Sequence, residues 1–208
     1  MAIRAIVFDV VGVLELVRDD AWPEVWISRW ASRMSLAAGH VAAVLAEHEP
    51  VGDMATGEMS EAQMQDMYAE ALGLDQDQAD RMMAEMWDEY CRVLDARLRD
   101  FAAELRPQYA TAILSDSADG ARREEQRRYG FEQIVDVIIY SREVGLAKPD
   151  PAISRLTEKR LGVEPNEIVF LDDHKGHVDA AGELGWHAVW HRDTPTSVRA
   201  INSLISAS

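Results

Sequence analysis

The chain has 208 residues, enough for one sizeable core and a smaller insertion, and its 48% hydrophobic and 28% charged content is ordinary for a globular protein. With 21 basic against 37 acidic residues, the formal net charge of −16 makes nucleic acid and anionic membrane surfaces poor partners. An anionic ligand would need a local metal ion or lysine. Cys91 is the single cysteine, which excludes an intramolecular disulfide, and no apolar stretch approaches the ~20 residues of a membrane span. The N-terminus lacks the basic lead and small-residue cleavage site of a signal peptide. These features together lead to the expectation of a cytoplasmic protein.

The first apolar run, Ile3 to Phe8, stops on Asp9 and reads as a strand buried on both faces. From about Val17 to Arg99 the pattern is helical, and eight of the nine Met and four of the six Trp lie there. Trp22, Trp26 and Trp30 share one face of a helix that Pro23 can start; this stripe and the methionines read as core, or else as an adaptable apolar pocket wall. Ser60 to Gln63 is a capping-box pattern opening a helix to about Leu72. Gly73 ends that helix, and Asp75 starts another reaching about Tyr90. Cys91 follows with no activating base nearby and reads as structural.

From Asp95 onward helices and strands alternate. A helix near 95–106 precedes a strand at Ala110 to Leu114, which stops on Ser115. A helix at 118–128 precedes Ile134 to Ile139, and one at 151–161 precedes Ile168 to Leu171, which stops on Asp172 and Asp173. A helix at 177–184 precedes Trp186 to Trp190. The alternation predicts an α/β fold with a Rossmann-like parallel sheet and a helical block inserted after the first strand. Residues 1–15 and 98–208 form the expected core, and residues 16–97 the expected helical cap.

Ligands of open parallel sheets bind outside the carboxyl ends of the strands. Asp9, Ser115, Asp172 and Asp173 would therefore gather on one rim. Asp9 suits a nucleophile or a hard-cation ligand, and equally a turn residue. Ser115 suits an anion site at a helix start; Ser115 or Ser117 as a simple N-cap is the alternative. Lys148, kept out of a helix by Pro149, offers a fixed positive charge or is an exposed loop lysine. The tandem acids Asp172 and Asp173 suit Mg²⁺, with capping of the following helix as the alternative. His174 and His177 meet no zinc spacing and read as a solvated helix start.

Taken in order, FDVVGVL at 8–14, ILSDS at 113–117, GLAKPDP at 145–151 and VFLDDHKGHVDAAGELGW at 169–186 resemble the haloacid dehalogenase-like hydrolase superfamily. The resemblance lies nearest the branch that holds the phosphatase domain of epoxide hydrolases and small sugar-phosphate phosphatases. It implies Asp9 as a nucleophile forming an aspartyl intermediate. Ser115, the backbone at Asp116 and Lys148 would hold phosphoryl oxygens. Asp9, the Val11 carbonyl and Asp173 would bind Mg²⁺, with Asp172 supporting them, and the partner would be a small phosphorylated molecule.

Three positions depart from the family pattern. Val11 replaces a second Asp that protonates the leaving alcohol, a contribution typically worth ~10²–10⁴-fold. Asp116 stands where Asn is common and brings negative charge near the phosphate. His177 stands where Asn usually follows the tandem acids. The expected activity is Mg²⁺-dependent hydrolysis of a small phosphomonoester. The alternatives are carbon–halogen hydrolysis, in which a halide leaves without a proton, and a catalytically weak binder of phosphate or a partner. No motif names the substrate or fixes whether the chain forms a homo-oligomer.

Overall fold

Every strand pairing in the sheet is parallel, and the strand order is β3-β2-β1-β4-β5. The structure, a computed structural model, describes residues 2–16, 21–37, 39–47, 55–91 and 93–207. Chain order runs β1 (Ala5–Phe8), α1 (Trp22–Arg33), α2 (His40–Glu47), α3 (Glu61–Leu72), α4 (Gln76–Tyr90), α5 (Ala96–Leu105) and β2 (Ala110–Ser115). It continues through α6 (Ala121–Tyr129), α7 (Phe131–Ile134), β3 (Val137–Tyr140), α8 (Ser141–Val144), α9 (Pro151–Leu161) and β4 (Ile168–Asp172). It closes with α10 (Lys175–Glu183), β5 (His187–Trp190) and α11 (Thr194–Ser206). This is the α/β fold with a parallel sheet that the alternation predicts. No helix among the described residues is long and apolar enough to cross a membrane.

Strand alternation divides the core into two layers. Ile6 and Phe8 of β1, Ile113 of β2 and Leu171 of β4 join Leu98 and Ala102 of α5 and Ile201 of α11. Ala5 and Val7, with Leu114 and Phe170, face the other way onto Ile153 of α9 and Ala181 of α10. All four residues of β1 are buried, as a central strand covered on both faces requires.

The inserted helices α1 to α4 bury a further cluster, built on Trp26, Trp30, Met64, Met82, Met86 and Trp87 and joined by Ala121 of α6. The tryptophan stripe is therefore core. Ser60 and Asp75 each form a capping box, and Gly73 ends α3 in the left-handed region, where only glycine is unstrained. The chain leaves and re-enters the core side by side: Leu16 N–H donates to the Val93 carbonyl, and Asp95 N–H to that of Leu14, each at 2.8 Å.

Several predicted boundaries move. Ile134 ends α7 and does not open a strand; β3 begins at Val137. Phe131 is fully buried and anchors that helical turn, while Asp136 pins its exit by accepting the Thr111 N–H at 3.0 Å and Arg106 Nε–H at 2.8 Å. The helix after β2 starts at Ala121, behind Gly120 at φ +95°. The helix after β4 starts at Lys175. The closing helix α11 has no counterpart in the sequence reading, although Asp193 caps it and Pro195 lies in its first turn.

Candidate active site

Strand register brings the predicted residues together. Phe8 pairs with Ile113 on one side and Leu171 on the other, so Asp9 and Asp172 are level at the rim and Ser115 lies just beyond. Asp9 N–H donates to the Leu171 carbonyl at 2.9 Å, which fixes the residue where β1 ends.

Lys148 joins the rim from the loop before α9. Its buried ammonium lies 2.8 Å from Asp9 Oδ1 and 2.8 Å from Asp172 Oδ2. Asp9 Oδ1 also accepts the Val10 N–H at 2.8 Å. Burial pushes the Asp9 carboxyl up to about 7, against the pull of Lys148 and with a further push from Asp172. Burial alone would lower Lys148, but the carboxylates of Asp9 and Asp172 hold it above the ordinary lysine value, so it stays charged.

Asp172 is fully buried and fully engaged. Oδ2 takes Lys148, Oδ1 takes the His174 N–H at 2.7 Å, and His177 Nδ1 lies 3.2–3.3 Å from both oxygens. Burial would raise its carboxyl, yet these partners outweigh burial and hold it at about 2. Asp172 does not cap α10, whose N-cap position is His174. The solvated helix start expected for His174 and His177 is corrected at His177, whose imidazole is mostly buried against Asp172 and lies 4.0 Å from Asp116.

Asp116 takes an unexpected role. Its Oδ1 accepts the Lys148 backbone N–H at 3.0 Å. Ser115 is buried, and its hydroxyl makes only a marginal 3.5 Å contact with the Asp116 carbonyl, which leaves its bonding capacity open. Neither Ser115 nor Ser117 is an N-cap, because α6 begins behind Gly120; the Ser117 N–H instead donates to Ser141 Oγ at 2.9 Å.

Asp173 is more exposed and packs against the loop that follows Asp9. Gly12 in that loop has φ +80°, and a Cβ there would lie 2.0 Å from Asp173 Oδ2. Asp9, Asp172 and Asp173 each offer a carboxylate oxygen, all within 4.8 Å of one another. Asp172 is committed to Lys148 and His177, whereas Asp9 Oδ2 and the Asp173 carboxylate have no cation partner among the described residues. Two such hard oxygens on a half-open rim suit Mg²⁺, which keeps several waters and needs few protein ligands.

A family profile described as haloacid dehalogenase-like hydrolase matches residues 3–185. The chain belongs to the haloacid dehalogenase-like hydrolases. This hydrolase is 37% identical to bifunctional epoxide hydrolase 2 of Sus scrofa over 100 residues, 46% of the chain and 18% of that protein. It is 30% identical to a phosphorylated carbohydrates phosphatase of Thermotoga maritima over 110 residues, 53% of the chain and 49% of that protein. An (S)-2-haloacid dehalogenase of Burkholderia cepacia is also 30% identical, over 39% of the chain and 35% of that protein. The chain thus spans under half the length of these relatives. A solved family member from Bacteroides thetaiotaomicron, in complex with magnesium and inorganic phosphate, shares the fold with a TM-score of 0.74. That likeness covers 95% of this chain and 99% of the other at 20% identity.

Proposed function

We propose that this hydrolase is a Mg²⁺-dependent phosphatase of a small phosphomonoester, with Asp9 as the nucleophile. The observation that carries the reading is the Lys148 ammonium 2.8 Å from both Asp9 and Asp172, beside oxygens of Asp9 and Asp173 that meet no cation among the described residues. Phosphoryl transfer is mainly positioning and neutralisation of charge on oxygens, and this rim offers a fixed cation and a place for a second. A phosphatase and a phosphate-bound family member among the similar proteins support the same reading.

Asp9 Oδ2, the Val11 carbonyl and Asp173 would hold Mg²⁺, which supplies positive charge to the phosphoryl oxygens when bound. Lys148, the Ser115 hydroxyl and the backbone N–H of Asp116 would hold the other oxygens, while Asp172 keeps Lys148 in place. Asp9 attacks phosphorus: its oxygen forms the new P–O bond as the ester P–O bond breaks. The leaving alkoxide takes its proton from water, because Val11 has none to give. Water then attacks the aspartyl phosphate at phosphorus, releasing inorganic phosphate and the Asp9 carboxylate. Residues 16–97 would act as a cap over the rim.

Val11 favours a second reading, carbon–halogen hydrolysis, since a halide leaves without a proton, and a haloacid dehalogenase is among the relatives. The test is p-nitrophenyl phosphate hydrolysis with and without Mg²⁺, with Asp9→Asn as control. That leaving group needs little protonation. Steady Mg²⁺-dependent release, absent in D9N, is expected. Metal-independent release, or halide release from a 2-haloacid without phosphatase activity, would overturn the reading.

A further inference from the structure

On the β5 side of Asp173 lies a cleft of about 690 Å³ that reaches Gly12 and Asp173. Its apolar walls are Leu16 and Trp190, 38% and 44% exposed, two of the three large apolar side chains that stand open among the described residues. The indole is held in place. Trp190 Nε1–H donates to the Asp173 carbonyl at 2.8 Å, and the Arg192 guanidinium lies 5.3 Å from the ring centroid. A fixed, exposed indole in a concave site is a ready contact for a planar ligand.

Two cations of the cleft are uncommitted. Arg97 and Arg192 both border it, and neither has a carboxylate at ion-pair distance among the described residues. Three acids line the same cleft: Asp173 is the residue that would hold Mg²⁺, Asp95 is buried and accepts the Leu98 N–H and the Thr194 hydroxyl, and Asp193 accepts the Thr196 N–H. With Asp173 occupied by the metal ion, two guanidinium groups that meet no carboxylate among the described residues stand beside an exposed tryptophan, a local site for an anion in a chain of net charge −16.

We infer that this cleft receives the leaving half of the substrate, a planar apolar group that carries its own carboxylate or similar anion. The inference rests on Asp9 being the phosphatase nucleophile. The ring lies against Leu16 and Trp190, and the second anion meets Arg97 and Arg192.

The test pairs phenyl phosphate with 3-carboxyphenyl phosphate. The meta position keeps the two phenols close in acidity, so the missing acid at Val11 handicaps both alike. The carboxylated ester is expected to show a KM about fivefold lower, the effect of a solvent-exposed ion pair. Arg97→Ala with Arg192→Ala should bring the KM ratio to about one, and Trp190→Ala should raise KM for both esters. Equal KM values in the unaltered enzyme, or a ratio that survives the double arginine variant, would overturn the inference. Calorimetric titration with 3-hydroxybenzoate needs no turnover and separates the two readings. Binding that weakens in the double variant while neither ester is hydrolysed sinks the phosphatase reading and keeps the cleft. Absent binding, or binding the double variant leaves intact, removes the cleft.

Discussion

Asp116 holds Lys148 from behind: its Oδ1 accepts the lysine's backbone N–H at 3.0 Å. An acid directly after Ser115 would by charge alone repel a phosphate. Here one of its oxygens fixes the loop that delivers the ammonium to Asp9, and His177 lies 4.0 Å from the other. The departures at Asp116 and His177 thus form one arrangement that reaches Asp172 on its far side.

The bond, more than the charge, is expected to matter. Asp116→Asn keeps a carbonyl oxygen for the Lys148 N–H and should retain most of kcat/KM on p-nitrophenyl phosphate. Asp116→Ala loses the bond and should cost about fivefold to tenfold, the worth of one hydrogen bond of ~1 kcal/mol. Equal losses in the two variants would show that the negative charge was the useful part.

Gly12→Ala should weaken Mg²⁺ dependence specifically. A methyl group at that position would sit 2.0 Å from Asp173 Oδ2, and φ +80° strains any side chain. The half-saturating Mg²⁺ concentration in the p-nitrophenyl phosphate assay is expected to rise about tenfold or more, as when a metal ligand loses its support. An unchanged Mg²⁺ curve would argue that Asp173 does not hold the ion.

Glu15 should make stability depend on pH. It is 3% exposed, and although Tyr129 and Cys91 lie beside it, neither carboxylate oxygen has a hydrogen bond of good geometry. Burial pushes its carboxyl up to about 8 from the ordinary 4.5, over the opposing influence of Tyr129, Cys91 and Arg128. Between those values the folded chain keeps a proton that the unfolded chain has lost. The stability contributed is full below about 4.5 and is lost as the pH rises to about 8. In urea unfolding, the advantage of Glu15→Gln over the unaltered chain should grow by on the order of 1 kcal/mol per pH unit across that window. Glu125, raised by burial as well, leaves part of the slope in place. A pH-independent difference would show that Glu15 ionises without penalty.

Restoring an acid at Val11 should help according to the leaving group. Val11→Asp is expected to speed esters of basic alcohols, by up to ~10²-fold, and p-nitrophenyl phosphate hardly at all. A uniform gain on both would mean that leaving-group protonation was not limiting.

Much of this was legible in the chain because the strands end on polar residues. Asp9, Ser115 and Asp172 each close an apolar run, and a parallel sheet carries such ends to one rim. Ser60, Gly73 and Asp75 mark helix ends through local backbone bonding, so their positions need no tertiary information. The misses share a different physics. Ile134 to Ile139 reads as one apolar run, yet Asp136 bonds to Thr111 and Arg106 and breaks it into a helical turn and a strand. His177 meets Asp172 over the first turn of α10, five residues away, but its approach to Asp116 is made across the fold, and nothing in its own neighbourhood announces that. Trp190 reads as an apolar strand residue; the fold turns it outward at the end of β5 and ties it to Asp173. Glu15 carries an ordinary surface side chain by type, and its burial follows from the pairing of residues 14–16 with 93–95.

That pairing also bears on how the molecule could be rebuilt. Because Leu14 and Asp95 are hydrogen-bonded neighbours, the helices α1 to α4 leave and rejoin the core through one doorway. The five-stranded sheet closes its ladder without any residue of those helices. Exchanging residues 16–93 for the corresponding segment of a relative would thus sever no strand pairing, and a short turn in their place would need to span only one backbone hydrogen bond. The replacement would keep the sheet's register untouched but would have to match the core where Glu61 meets Asp119, Gly57 meets Arg142 and Asp88 meets Arg128.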